Sequence, residues 1–485
     1  MPAGIRSSHA LCEGQTMTKR SAAALCVFAL GLGAAPGVSV TAAVTPEQAD
    51  HLGKDLTAIG AERAGNPDGT IPAYEGGEAP LAGWSWGKVR SRYSKFKDEQ
   101  PLFSIDASNV ERYAPHLTEA QITALKTVPG YRMDIYPSHR TCSIDPAYAE
   151  RTRQNATEAR IGADGWSLEH AKTAGVPFPI PQSGVEAMYN ARMRPQGIGY
   201  RLVNGSTIIS PPPGSRDFTS YVWNFETFVS SQSIEKPAVE SGGAVDFYVH
   251  YTYMEPAAMR GQAFIGISFE NKDPESYFYF PGQRRVRRLP NYVFDAPVVG
   301  YENQYLNDEQ LMLWSTLDRF EYRLVGKQEI YLQNNSLRMH DFDAKRDQVF
   351  GKNFVNPAYH RFELHRAWVV DARLKAGFHH LVPHRVYYLD EDSWSIAAVT
   401  EYDQSGKVWK LMESSQIPIW ELGGSCGYVA YTIWDLKGGR YVTDFSVIGT
   451  GGDAKWIRAG DPDAREPPFK ADFYTPETLR AISER

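Results

Sequence analysis

The chain has 485 residues and a formal net charge of −6, with 22% charged and 12% aromatic residues. This acidic balance excludes nucleic acid as the main partner, because a phosphate-binding surface shows as a basic domain. The length allows two to four domains, and the composition is that of a folded globular protein unusually rich in Tyr and Trp.

In chain order, Met17-Thr18-Lys19-Arg20 supplies a basic start, Ser21 to Gly37 an apolar stretch, and Val40 to Ala43 small residues suited to cleavage. This is the layout of a secretory signal peptide over residues 1–43, with Met17 as an alternative start. The apolar stretch is short and broken by Gly and Pro, which argues against a membrane anchor. Leu25 before Cys26 argues against a lipidated cysteine. Cleavage would remove Cys12 and Cys26 and leave 48 basic against 56 acidic residues, a net charge of −8. Cys142 and Cys426 would remain, and two cysteines in an oxidising compartment predict one disulfide. Two unpaired buried thiols are the alternative.

Residues 44–197 read as helix and loop. Thr45-Pro46-Glu47-Gln48 is a capping box that starts a helix toward Leu56, and Thr118-Glu119-Ala120-Gln121 opens another through Leu125. Ala147 to Ala159 and Gly184 to Arg192 are further helices, and Pro177 to Pro181 runs extended. Residues 198–485 read as strands: Ala244–Met254, Ala263–Glu270, Tyr277–Arg288, Phe320–Leu332, Arg361–Leu374, His384–Leu389, Ser393–Tyr402, Lys407–Glu413, Tyr428–Asp435 and Arg440–Val447. Turn chemistry at Asp390–Asp392, Asp403–Gly406 and Leu436–Gly439 joins several of them into an antiparallel meander. A last helix follows Thr475. The fold class is therefore α+β, with a large antiparallel sheet and a helical N-terminal region in one unit with it.

Four arginines crowd into Arg284-Arg285-Val286-Arg287-Arg288 behind Phe278-Tyr279-Phe280-Pro281-Gly282. On a strand, Arg285 and Arg287 point one way and Arg284 and Arg288 the other, so one face meets carboxylates, an anionic headgroup or solvent. A structural arginine ladder and a binding role both fit. Gly423-Gly424-Ser425-Cys426-Gly427 has the spacing of a nucleophile elbow, but a strand follows it where a helix is needed. His360, His365, His379, His380 and His384 lack the convergence of a metal site. No phosphate-cradling glycine loop or dinucleotide fingerprint is present, and no cofactor is expected.

Tyr131 to Arg140, Gly175 to Pro181, Pro281 to Asn291, Leu324 to Tyr331, Glu363 to Val370 and Tyr388 to Trp394 run in order along the chain. These blocks resemble those of the exported Gram-negative family catalogued as domain of unknown function 1329. That resemblance implies an open antiparallel half-barrel like those of the lipoprotein carriers LolA and LolB, with helices lidding a concave, acyl-binding face. It also implies partners: a lipid or other hydrophobic molecule, an outer-membrane β-barrel protein and a transporter of the resistance-nodulation-division (RND) type. It brings no catalytic residues.

The expectation is a non-enzymatic periplasmic binding or shuttle protein associated with the outer membrane. Tyr279, Trp368 and His365 would contribute to the ligand site, and Arg285, Arg287 and Arg288 would hold an anionic headgroup or an acidic partner. A hydrolase acting on an envelope lipid, with His365 or Ser425 at its centre, and a structural subunit of a transport complex are the alternatives.

Overall fold

Side chains that alternate along short β-rich runs, separated by aspartate and glycine turns, give a long antiparallel ladder. The computed structural model describes residues 44–210, 215–224, 245–269, 272–289, 294–298, 300–458 and 460–484, with 215–224 described by backbone alone. The expected signal segment, together with Pro290 and Asn291, lies outside the described residues.

The first strands are β1 Phe103–Ile105, β2 Met133–Ile135, β3 Arg160–Ile161, β4 Leu168–Glu169, β5 Gly199–Leu202, β6 Gly205–Ile209, β7 Ser215–Asn224, β8 Val245–Glu255, β9 Ala263–Phe269, β10 Glu275–Phe280 and β11 Arg285–Arg288. Then come β12 Phe320–Gln333, β13 Phe362–Leu374, β14 His384–Asp390, β15 Ile396–Tyr402, β16 Val408–Ser414, β17 Ile417–Ile419, β18 Ser425–Gly427, β19 Tyr431–Asp435, β20 Arg440–Ser446 and β21 Ala454–Ile457. The helices are α1 Pro46–Ala49, α2 Val110–Tyr113, α3 Glu119–Thr127, α4 Pro146–Glu158, α5 Gly184–Arg192, α6 Arg346–Val349 and α7 Pro476–Ser483.

All strands except the pairs β3–β4 and β17–β18 join one 17-stranded sheet. Its spine runs β12-β13-β14-β15-β16-β19-β20-β6-β7-β8-β9-β10-β11 through antiparallel pairs. Consecutive in sequence, β11 and β12 stand at opposite ends of this spine, and no pairing closes it among the described residues. The fold is α+β with a large, mainly antiparallel, open sheet. The turns form as their residues dictate. Asp403 accepts from the Ser405 and Lys407 amides at 2.7 and 3.0 Å, and Asp435 from those of Lys437 and Gly438 at 3.1 and 2.9 Å.

Three local expectations are corrected. The Thr45 capping box forms, but its helix stops at Ala49 and not near Leu56, since Leu52 and Leu56 instead form bridges in a turn-rich segment. Tyr277–Arg288 is not one strand; a 3-10 turn at Pro281–Gln283, with Arg284 at φ 51°, folds it into the β10–β11 hairpin. The N-terminal region also supplies strands, because β1 pairs with β2 and Ile135 of β2 bridges in parallel to Phe362 of β13.

Register places an apolar row across eight strands: Leu324, Val370, Tyr387, Val399, Met412, Ile433, Val442 and Ile209. This face is covered from within the chain. Met188 and Tyr189 of α5 join the same core, as do Val298, Tyr301, Tyr305, Trp314 and Leu317. At Gly184 a Cβ would lie 2.5 Å from the Tyr322 carbonyl, so glycine lets the start of α5 sit directly on β12. Two residues along the row, Arg385, Glu401 and Lys410 form a buried polar line. Asp308 and Glu309 from the covering segment pair with it, Asp308 with Arg385 at 2.6 Å and Glu309 with Lys410 at 2.5 Å. On the opposite face α3 packs against β15 and β16, and Gln121 donates to Glu413 at 3.0 Å.

Candidate functional site

Just ahead of β13, Arg361 leaves the sheet and meets two segments of the N-terminal region. Its Nη2 donates to Glu99 Oε2 at 2.6 Å and to the Pro137 carbonyl at 3.0 Å, while Nε donates to Glu363. The guanidinium lies 4.6 Å from the Tyr136 ring centroid and 5.9 Å from that of Phe96. Phe96 stacks on His139 at 3.6 Å, and His139 Nε2 is 2.8 Å from Glu99. Across a gap, the 3-10 turn Leu337–His340 presents Arg338, whose guanidinium is 4.7 Å from the Tyr359 ring centroid. Asn335 precedes that turn with φ 51°, a conformation asparagine tolerates.

These groups enclose a cavity of about 350 Å³ lined by, among others, Phe96, Lys97, Glu99, Tyr136, Arg338, Tyr359, His360 and Arg361. Its volume is within the range that holds a small organic ligand. Three aromatic side chains form its walls. Of its cations, Arg361 is paired with Glu99 and Glu363, and Arg92 with Asp343 at 2.6 Å. Lys97 and Arg338 are exposed and have no ion-pair partner among the described residues. His360 closes the back: burial lowers its pKa to about 4, so the ring is neutral there.

Behind the wall lies a buried ion-pair network. Glu363 accepts from Arg361, from the His139 amide at 2.8 Å and from Asn335 at 3.1 Å, and sits 3.2 Å from His365. Burial pushes the Glu363 carboxyl up, but Arg361 and His365 outweigh it and lower the pKa. His365 lies between Glu363 and Asp390, each at 3.2 Å. Burial lowers its pKa, and the two carboxylates more than reverse this, raising it to about 10. Locked as an imidazolium, His365 is spent as a general base at neutral pH.

The sequence-selected residues therefore separate. His365 stands behind the cavity and does not line it. Trp368, half-buried, stacks on Trp394 at 6.1 Å, with Lys327 4.9 Å from its ring. Tyr279 is buried with Tyr248 and Leu479 beneath α7. Arg285, Arg287 and Arg288 are exposed on the terminal strand β11. Cys142 and Cys426 are bonded at 2.06 Å. Ser425 is buried in β18 with another strand after it, so the elbow geometry is absent there. Sequence reasoning missed Phe96, Tyr136, Arg338 and Tyr359; the one available signal was the adjacency of aromatic and basic residues in Phe96-Lys97 and Tyr359-His360-Arg361.

Fold and site together define an α+β protein with an open antiparallel sheet and an aromatic–cationic pocket at one end of β13. The family model for DUF1329, described as a protein of unknown function, matches residues 104–480, and the chain belongs to that family. An uncharacterized protein of Pseudomonas aeruginosa is 34% identical over 458 residues, covering 91% of this chain and 94% of that one. Among solved structures, a DUF1329 family protein of Desulfovibrio piger is similar with a TM-score of 0.36 and 14% identity, over 57% of this chain and 92% of its own. A LolA superfamily protein of Nitrosomonas europaea gives a TM-score of 0.34 and 12% identity, over 61% and 98%. No helix among the described residues is long and apolar enough to cross a membrane.

Proposed function

We propose that this is a binding protein, not an enzyme, for a hydrophobic molecule that carries an anionic group, and that it acts in the periplasm. The observation that carries this reading is the cavity of about 350 Å³ walled by Phe96, Tyr136 and Tyr359, with the exposed cations Lys97 and Arg338 among its lining residues. Aromatic walls take the apolar body of a ligand, and a few placed charges fix its orientation. The histidine nearest in role to a catalytic base is held protonated behind the wall, which favours binding over hydrolysis. The apolar N-terminal stretch and the Cys142–Cys426 bond support export, because disulfides persist in oxidising compartments. An outer-membrane β-barrel protein and an RND-type transporter are the partners this role calls for.

The test is native mass spectrometry of protein released from the periplasm without detergent. A bound organic anion is expected, and Arg338→Glu combined with Tyr359→Ala should release it while the thermal melt stays that of the wild type. Empty wild-type protein, or a ligand retained by the double variant, would overturn the assignment to this pocket.

A further inference from the structure

Strand β11 pairs with β10 alone, so one of its edges has no strand beside it among the described residues. The Leu289 amide donates to the Ser276 carbonyl at 2.9 Å. Hydrogen-bonded and non-bonded pairs alternate along an antiparallel ladder, so Arg287 and Arg285 also direct their backbone groups toward β10. Val286 and Arg288 then direct theirs outward, to the open edge.

The arginines divide by face. Arg285 stands opposite Phe280 and Arg287 opposite Phe278, on the side of the main apolar core. Val286 and Arg288 stand opposite Tyr279 and Tyr277, on the side covered by α7. Arg288 has Glu275 at 3.8 Å, and Arg284 in the turn has Glu484 at 3.8 Å. Arg287 donates to Gln283 at 2.6 Å, and Arg285 has no hydrogen-bond or ion-pair partner among the described residues. The α7 side is therefore supplied with acids, whereas the Phe280 side offers two cations that pair with no acid among the described residues. This is a local excess of positive charge on a chain of net charge −6.

We infer that β11 is a docking edge for an acidic, extended segment of a partner protein, which adds as a strand and sets carboxylates against Arg285 and Arg287. Two arginines two residues apart match carboxylates at alternate positions of a strand. The outward backbone groups of Val286 and Arg288 supply the main-chain bonds of strand addition. A second copy of the same edge does not fit, since antiparallel self-pairing would set arginine against arginine. The inference is independent of the pocket.

The probe is a fluorescein-labelled decapeptide of alternating Glu and Val, titrated into the full exported chain and followed by anisotropy. Arg285→Glu with Arg287→Glu should weaken binding by about tenfold or more, and Arg284→Glu with Arg288→Glu by clearly less. A central proline in the peptide should weaken binding to a similar extent, because it removes a main-chain donor. All four sites are exposed, so both double variants should melt with the wild type. No binding of the wild type, equal effects of the two double variants, or equal binding of the proline peptide would overturn the inference. So would capture of the protein by phosphatidylglycerol vesicles without peptide binding, which would make the edge a lipid contact. No binding of any probe would leave the arginines as guards against edge-to-edge aggregation.

Discussion

His365 and Glu413 are two buried ionisable residues whose environments drive stability in separate pH windows. His365 gains two carboxylates on folding, so its folded pKa is about 10 against an ordinary value near 6.5. Its contribution is complete below about pH 6.5 and is lost as pH rises through the folded pKa. His365→Ala should cost about 3–5 kcal/mol at pH 6, the usual effect of breaking a buried pair. It should also flatten the decline in urea stability between neutral pH and pH 10; an unchanged decline would place it elsewhere. Glu413 has the same sign from a different cause. Burial raises its carboxyl to about 7, against the opposing amides of Gln121 and Gln333. The folded state then holds an extra proton above the ordinary carboxylate value of about 4.3, so stability falls as pH rises from there toward 7. Glu413→Gln should remove that slope, as measured by thermal melts from pH 4 to pH 8.

At the scale of elements, the covering segment 300–317 is fastened to the sheet by charge as well as by Trp314 and Leu317. Burial pushes the Asp308 carboxyl up, but Arg385 and His380 hold it far below the usual carboxylate range. Asp308→Asn leaves Arg385 with Glu401 alone and should cost about 3–5 kcal/mol. Hydrogen exchange should then show the amides of 307–314 opening before those of β14 and β15; simultaneous opening would mean that the segment and sheet are one cooperative unit. Helix α3 is a smaller lever. Thr118 accepts from the Gln121 amide at 3.0 Å, and Thr118→Ala should lower stability by about 1 kcal/mol, read from the urea midpoint. This cap, like that of α1, could be read from four consecutive residues because a helix end is a local hydrogen-bonding problem.

For the whole molecule, the Cys142–Cys426 bond closes a loop with a sequence separation of 284 residues, from the N-terminal region to β18. Restricting so long a loop in the unfolded chain should stabilise the fold by about 2–5 kcal/mol. Reductant should lower the unfolding free energy from urea titration by that amount, and alkylation without reductant should add no mass at either cysteine. Unchanged midpoints would mean the bond contributes nothing to the fold. Other long-range contacts build the pocket, whose walls come from residues 91–99, 136, 335–338 and 358–361. No periodicity links those positions. Parity in the sequence sets Arg361 and His365 on one face of the expected strand and Trp368 on the other, and only their neighbours from other segments gave the three their roles.

Strands β8 to β10, β12 to β16, β19 and β20, helices α3, α4, α5 and α7, the α+β class and the turns at Asp403 and Asp435 follow from sequence alone, because propensity, alternation and capping act within a few residues. The tertiary structure decided which strands stand side by side and what covers the apolar row. It also decided which arginines keep a free face: Arg285 and Arg287 share a parity that the sequence shows, but only the position of α7 and its acids distinguishes them from Arg284 and Arg288. Parity is a local property of a strand. The charge opposite each face comes from segments far away in the chain, and folding brings them together.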